Sequence, residues 1–90
     1  MHAIIVYDIG VERVNKVRKI LKEYLVWTQN SVFRGDITES RLIALERRLK
    51  EAINEKYDSI IIFTIRDKSL VKEKLLGTPR AISPDELEIL

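Results

Sequence analysis

Asp8 is the first side chain whose type and position could support chemistry. It follows an apolar run, residues 3–6, and precedes Ile9-Gly10 at the end of a predicted buried strand. A carboxylate there either accepts backbone N–H groups in a turn before the next helix or binds a divalent metal ion. The sequence leaves both alternatives open, because Glu12, the nearest other acid, is explained as an N-terminal helix residue.

A metal site built on Asp8 requires ligands from elsewhere. Mg²⁺ prefers octahedral oxygen coordination and usually combines one or two carboxylates with waters and substrate phosphates. The chain has no cysteine and one histidine, His2, which we expect beside a flexible chain start, so thiolate sites, multi-histidine sites and histidine triads are excluded. In a dimer whose twofold axis passes near this strand end, two Asp8 carboxylates would share a metal ion that lowers the pKa of a bound water.

A basic helix face is the second candidate site. The predicted helix after Asp8 carries five cations and two acids, namely Arg13, Lys16, Arg18, Lys19 and Lys22 against Glu12 and Glu23. This pattern fits a solvated surface, and it also fits a surface that contacts nucleic-acid phosphates without reading bases. Acids and bases are mixed along the second predicted helix, which indicates an ordinary exposed face.

Composition sets the scale of the protein. Its 90 residues are 46% hydrophobic and 33% charged, with a net charge of +2, which predicts one domain with a small core that would gain from oligomerisation. We assign the domain to residues 1–77 and treat residues 78–90 as a tail whose apolar residues dock on a second copy or a partner. No run of about 18 apolar residues and no leader pattern is present, so we expect a cytoplasmic protein without a membrane partner.

Hydrophobic periodicity predicts the elements that position these residues. Alternating or continuous apolar runs indicate strands, whereas apolar residues three and four apart indicate helices. The pattern predicts a strand over 2–8, a helix over 12–25, a strand over 26–34, a helix from the N-cap Thr38 to about residue 56, a strand over 59–65, a turn over 66–69 and a polar strand over 71–76.

Two topologies fit this order, and both give an α+β fold. Counted directly, the order is β-α-β-α-β-β, with residues 2–34 as a right-handed βαβ unit and an antiparallel last strand. If the run over 26–34 breaks at Asn30 into strands over 26–29 and 31–35, the order becomes the ferredoxin-like βαββαβ. Both place two helices on one face of a four-stranded antiparallel or mixed sheet. The other face is rich in Ile, Val and Phe, so we expect a second copy to cover it.

Several motifs resemble one protein family over residues 3–77. They are the stretch Tyr7-Asp8-Ile9-Gly10 before a basic helix, the run SVFRGDIT from Ser31 to Thr38, and a short polar strand ending in Leu75-Leu76-Gly77. Together these motifs resemble the small CRISPR-associated protein two family. The resemblance implies a ferredoxin-like βαββαβ protomer, which takes precedence over the direct strand count. It also implies a homodimer packed through the sheet faces, with C-terminal segments that extend the partner's sheet.

The same resemblance implies a function. Family members bind duplex DNA during spacer acquisition, where they bridge subunits of the CRISPR integrase, and some have been assigned metal-dependent endonuclease activity on RNA or DNA. For this chain the resemblance implies Asp8 as the catalytic residue and the Mg²⁺ ligand. On the same basis we expect nucleic-acid contacts, to duplex DNA or single-stranded RNA, from four cations: Arg13, Lys16, Arg18 and Arg34.

Two positions depart from the family pattern. Val14 and Trp27 stand where basic residues are often found. An alternative function therefore stays open, namely a non-catalytic ferredoxin-like module for nucleic-acid binding or regulation. An RNA-recognition module of that kind is disfavoured, because strands 2–8 and 59–65 are mostly aliphatic, whereas RNA-binding sheets display aromatic side chains.

Overall fold

The computed structural model describes residues 1–77 of the chain. Their elements are β1 (His2–Asp8), α1 (Val11–Lys22), β2 (Val26–Gln29), β3 (Val32–Asp36), α2 (Glu39–Ala52), β4 (Ser59–Ile65) and a 3-10 turn (Lys68–Leu70). The predicted tail, residues 78–90, lies outside the described residues. Within residues 1–77, no helix combines the length and the apolar content needed to cross a membrane.

The strands form an antiparallel sheet in the order β2-β3-β1-β4. β1 lies between two neighbours, with Ile5 opposite Phe33 of β3 and Ile62 of β4. The element order βαββαβ confirms the ferredoxin-like prediction. The direct strand count is wrong, because β3 separates β1 from β2 and these two strands therefore do not pair.

The run predicted as one strand over 26–34 is a hairpin. Asn30 has a φ of 39°, a left-handed conformation that asparagine tolerates better than most residues. A tight turn at Asn30-Ser31 can therefore connect β2 to β3. The register also shifts between Trp27 and Gln29, which marks a bulge before the turn. The break is hard to find in the sequence because this turn contains neither glycine nor proline.

Helices α1 and α2 cover one face of the sheet. Side chains alternate along β1, so Ala3, Ile5 and Tyr7 point towards the helices and are 0%, 0% and 3% exposed. They belong to one core cluster with residues of β3 and of both helices, among them Phe33, Val17, Leu21, Leu42, Leu45 and Leu49. The leucine stripe predicted for α2 is confirmed, and the Thr38 side chain caps that helix as predicted.

The opposite face of the sheet is apolar and carries neither helix. Ile4 and Val6 of β1 are partly buried there, while Ile61 and Phe63 of β4 remain 53% and 52% exposed. Strand alternation puts Asp8 on this same face, opposite to Tyr7. We call the surface formed by these five outward-facing residues (Ile4, Val6, Asp8, Ile61 and Phe63) the outer face.

Two predicted helix ends and one predicted strand are wrong. α1 ends at Lys22 rather than at residue 25, and the buried Leu25 lies in the turn towards β2. α2 ends at Ala52, four residues earlier than expected, and a turn over residues 53–58 leads into β4. Residues 71–77 contain no strand. A strand requires a hydrogen-bonded neighbour, and within residues 1–77 no strand pairs with this segment.

A buried carboxylate joins α1, α2 and β4. The Asp58 side chain is 0% exposed. It accepts hydrogen bonds from the backbone N–H groups of Gly10 at 2.9 Å and Asn54 at 2.8 Å. It also accepts from Nε and Nη2 of Arg13, the latter at 2.8 Å. These contacts tie the start of α1 to the turn after α2, and we call the four residues (Gly10, Arg13, Asn54 and Asp58) the Asp58 lock.

The Asp58 lock depends on the charge of its carboxylate. The hydrogen bonds from Arg13, together with the two backbone N–H groups, hold the pKa of Asp58 well below its usual range despite burial. The unfolded chain therefore takes up the proton at a higher pH than the folded chain does. The lock is fully stabilising above the unfolded-state pKa of about 4, and this stabilisation is lost as the pH falls below it.

We predict that Asp58→Asn lowers the thermal unfolding midpoint by several degrees and reduces its dependence on pH below about pH 4. The amide NH₂ group would face N–H donors, and the Arg13 guanidinium would lose its charged partner. Thermal unfolding followed by circular dichroism at neutral and acidic pH measures both effects.

Asp8→Asn is the matched control, since it makes the same chemical change at an exposed carboxylate. Its unfolding midpoint should stay within about 3 °C of the wild-type value. If Asp58→Asn unfolded within that same margin and kept the wild-type dependence on acid, the stabilising role of the Asp58 lock would be contradicted.

Candidate functional site

Asp8 is exposed at the end of β1 and lies opposite Ser59 of β4 in the sheet register. The turn before α1 does not use its carboxylate, because the Gly10 N–H donates to Asp58 and no side chain caps α1 at Gly10. Within residues 1–77 the Asp8 side chain has no hydrogen-bond or ion-pair partner. The turn alternative for Asp8 is therefore wrong, and its oxygens remain accessible.

Two turns flank Asp8 at this end of the sheet. The hairpin turn, Asn30-Ser31, lies on the β3 side, where the Tyr7 N–H donates to the Ser31 carbonyl at 3.0 Å. The second turn, residues 54–58, lies on the β4 side and is held by the Asp58 lock. Asp8 is thus positioned between two turns that are both bonded to the core of the protein.

A network of side chains fixes the hairpin turn. The Asn30 carbonyl accepts from Oη of Tyr7 at 3.1 Å and from Nε1 of Trp27 at 2.8 Å. Nε of Arg18 in turn donates to Oη of Tyr7 at 3.1 Å, and the Arg18 guanidinium lies 5.1 Å from the centre of the Trp27 ring. The buried Tyr7 hydroxyl therefore both donates and accepts a hydrogen bond. Trp27, which departs from the family pattern, is the residue that Arg18 stacks on.

The structure brings the four predicted nucleic-acid contacts into different environments. Arg13 is engaged by Asp58, and Arg18 is engaged by Tyr7 and Trp27. Lys16 is exposed, as are Lys19 and Lys22 on the same helix. The exposed positive charge of α1 therefore comes from its lysines, whereas Arg13 and Arg18 make contacts within the protein that stabilise the fold. Whether any of the four binds nucleic acid stays a prediction.

Arg34, the fourth predicted contact, lies at the other end of β1 beside His2. Nη2 of Arg34 is 3.2 Å from Nε2 of His2, and Nη1 is 2.8 Å from a carboxylate oxygen of Glu73. Since a guanidinium only donates, Nε2 accepts and Nδ1 of His2 donates to Asp36 at 3.1 Å. The expectation of a flexible surrounding for His2 is wrong, because this residue is 3% exposed within β1.

Cross-helix ion pairing occupies the surface between α1 and α2. Arg48 of α2 donates to both carboxylate oxygens of Glu23 at 3.0 and 2.9 Å. These hydrogen bonds lower the pKa of Glu23 and raise that of Arg48. Arg48 also donates to the Tyr24 hydroxyl. The second helix is therefore not a simple exposed face, because its Arg48 contacts α1.

Among residues 1–77, Asp8 is the exposed strand-end carboxylate that this end of the sheet offers to a metal site. No group of three or more His, Cys, Asp or Glu side chains in the described residues is arranged to hold a metal ion. Asp58, the neighbouring acid, is buried and already accepts hydrogen bonds from Arg13. Within residues 1–77, Asp8 therefore needs water, substrate oxygens or further ligands from outside this part of the chain to hold a metal ion.

Comparison with known proteins places this geometry in a family. A family model described as CRISPR associated protein Cas2 matches residues 1–73. A "CRISPR-associated endoribonuclease Cas2" of Methanosarcina acetivorans is 51% identical over 81 residues, which cover 90% of this chain and 93% of that protein. The protein of the same name from Pyrococcus furiosus is 48% identical over 77 residues, which cover 86% of this chain and 88% of that protein.

Solved structures agree with the sequence relatives. A crystal structure of a Cas2 protein superimposes with a TM-score of 0.82 at 42% identity and covers 92% of this chain and 93% of that one. Streptococcus pyogenes Cas2, crystallised at pH 6.5, has a TM-score of 0.75 at 29% identity, with 86% of this chain and 100% of that chain covered. The motif resemblance, the sheet topology and these matches agree, and the chain belongs to the CRISPR-associated Cas2 family.

Proposed function

We propose that the chain is a homodimeric endonuclease that cleaves phosphodiester bonds of RNA, with DNA as a second substrate, and that Asp8 is its catalytic residue and metal ligand. The observation that carries this proposal is an exposed Asp8 held between two turns, with no side-chain partner within residues 1–77. A carboxylate that caps no helix and pairs with no cation is available to a metal ion. The relatives' names, which call them endoribonucleases, support RNA as a substrate.

The outer face supports a homodimer. Its Ile61 and Phe63 are about half exposed, although they lie in a sheet whose other face packs against the two helices. Exposed apolar patches of this kind are normally covered by another protein surface. A second copy presents the same patch, so a twofold dimer covers both at once. Because Asp8 shares this face, the dimer brings two Asp8 residues towards a common interface.

The residues present fit Mg²⁺ as the cofactor of this site. Asp8 would hold the ion, together with its twin in the partner subunit, through carboxylate oxygens, which are the ligands that Mg²⁺ prefers. When bound, Mg²⁺ supplies charge stabilisation at the phosphoryl group and lowers the pKa of a water molecule. The chain itself orients the carboxylate through the two flanking turns.

No histidine of this chain can serve as a general base beside Asp8. His2 is the chain's histidine, and it lies six residues away along β1, or about 20 Å in an extended strand. It is also buried, and both of its ring nitrogens are engaged, by Asp36 and Arg34. The imidazole of this chain is therefore not placed to accept a proton from an attacking water at Asp8, whereas a carboxylate there could accept it.

A second, separable function rests on the exposed lysines of α1. Lys16, Lys19 and Lys22 form a cationic surface that is not consumed by the ion pairs engaging Arg13 and Arg48. We propose that the dimer binds the backbone of duplex DNA along these lysines and bridges subunits of the CRISPR integrase during spacer acquisition. The tail proposed to dock on the partner subunit or the integrase, residues 78–90, lies outside the described residues.

We predict that Asp8→Asn lowers metal-dependent cleavage of single-stranded RNA about 100-fold or more while the dimer persists. The variant removes the metal's carboxylate ligand and leaves the apolar outer face intact. Initial cleavage rates with Mg²⁺ and with chelator, together with light scattering for the oligomeric state, measure the two properties separately.

Asp67→Asn is the matched control, because Asp67 bonds locally to the Ser69 N–H in the 3-10 turn and should not affect cleavage. Wild-type cleavage rates in pure Asp8→Asn would remove Asp8 from catalysis. A wild-type protein that is monomeric at micromolar concentration would contradict the shared site. A wild-type dimer that cleaves nothing would favour the non-catalytic alternative.

For the lysine surface we predict that replacing Lys16, Lys19 and Lys22 together by Gln weakens duplex DNA binding and flattens its salt dependence. Each lysine that contacts a phosphate contributes about 0.9 to the slope of log K against log salt concentration. Lysines are the better test than Arg13 or Arg18, whose loss would also disturb the fold.

The control for this series is Lys50→Gln, which removes an exposed lysine from α2. Binding titrations at several salt concentrations should give Lys50→Gln the wild-type slope. If the triple variant also kept that slope, the DNA would have to lie elsewhere on the protein.

A further inference from the structure

Tyr57 is an aromatic residue that the fold does not use. The chain has three tyrosines. Tyr7 is buried and hydrogen-bonded, and Tyr24 lies under two guanidinium groups at 4.7 and 5.7 Å from its ring centre. Tyr57 by contrast is 73% exposed, and its hydroxyl has no hydrogen-bond partner within residues 1–77. Such a ring adds nothing to the core of the described domain.

The backbone under Tyr57 is rigidly held. The N–H groups of Tyr57 and Asp58 donate to the Asn54 carbonyl at 3.0 and 2.8 Å. The Asn54 side chain accepts from the Lys56 N–H at 3.0 Å, and Asp58 accepts from the Asn54 N–H. The turn is therefore anchored to α1 through the Asp58 lock. An exposed ring on a fixed turn binds a flat partner with little loss of backbone entropy.

The position of Tyr57 relates it to Asp8. Asp8 is paired with Ser59 in the sheet, and Tyr57 precedes Ser59 by two residues. From strand spacing and chain geometry, the Cα atoms of Tyr57 and Asp8 are at most roughly 13 Å apart. Next to Tyr57, the Lys56 ammonium lies 5.9 Å from the ring centre. The Tyr57 ring and the Lys56 ammonium therefore lie close enough to Asp8 for one short oligonucleotide to contact all three residues.

We propose that Tyr57 is a stacking platform for an unpaired base of a single-stranded nucleic acid whose backbone passes Asp8, with Lys56 near the phosphate of the stacked nucleotide. Aromatic side chains bind single strands in this way because every base has a stacking face, whereas bases in a duplex are already stacked on each other. This inference rests on the proposed nuclease function and deepens it, since it assigns single-stranded rather than duplex substrate to the Asp8 end of the sheet.

The experiment compares Tyr57→Ala and Tyr57→Phe in the full chain, with chelator present so that binding is measured without cleavage. The probes are a single-stranded RNA that contains the fluorescent base 2-aminopurine, whose emission is quenched on stacking, and a duplex DNA of equal length. Tyr57→Ala should weaken RNA binding about tenfold and reduce the quenching. Tyr57→Phe should match the wild type, and duplex DNA affinity should be equal in all three proteins.

Ile43→Ala is the matched control, because it removes an exposed apolar side chain from α2 and should change neither probe. The stacking proposal is overturned if wild type binds the RNA and Tyr57→Ala binds it equally well with equal quenching. It is also overturned if Tyr57→Ala changes only the oligomeric state, which would make Tyr57 a protein contact. A wild-type chain that binds neither probe with chelator present and cleaves neither probe when Mg²⁺ is added would instead overturn the proposed function, on which this inference rests.

Discussion

The ion pair between Arg13 and Asp58 is the interaction on which the Asp8 end of the sheet depends. It joins residues 45 positions apart in the chain. The same carboxylate also accepts hydrogen bonds from the backbone N–H of Gly10 before α1 and of Asn54 after α2. A buried carboxylate is costly unless it is paired and fully hydrogen-bonded, and Asp58 meets both conditions. With this carboxylate in place, the turn next to Asp8 has a defined shape.

The hairpin turn on the other side of Asp8 is also fixed in position, but by aromatic side chains rather than by a buried carboxylate. There the Asn30 carbonyl accepts hydrogen bonds from Tyr7 and Trp27, and Arg18 contacts the Tyr7 hydroxyl and the Trp27 ring. The two arginines nearest the start of α1 thus serve the frame around Asp8. The two flanking turns fix the position of Asp8, and its carboxylate takes no part in the contacts that hold them. A carboxylate of this kind can meet a second copy in a reproducible position.

Sequence patterns predicted the central strands, the leucine stripe of α2 and the Thr38 cap because these depend on local periodicity and capping. The break at Asn30 was one of two alternatives that the residues left open, since no glycine or proline marks the turn, and the family resemblance decided between them. The Asp58 lock was missed because Gly10 and Arg13 are far from Asp58 in sequence and Tyr57-Asp58-Ser59 looks like an ordinary turn. Charge pattern likewise identified the cations of α1 but not that Arg13 and Arg18 point into hydrogen-bond networks, which only tertiary contacts determine.

The central claim is that Asp8 acts only with its twin in a dimer, and subunit mixing measures this most directly. Wild-type and Asp8→Asn chains are mixed in equal amounts, allowed to exchange subunits, and assayed for Mg²⁺-dependent cleavage at constant total concentration. Random pairing gives two Asp8 residues to about one quarter of the dimers and one Asp8 to about half of them. A shared site predicts about one quarter of the wild-type rate. A rate of about one half, as expected for two independent sites, would contradict the account.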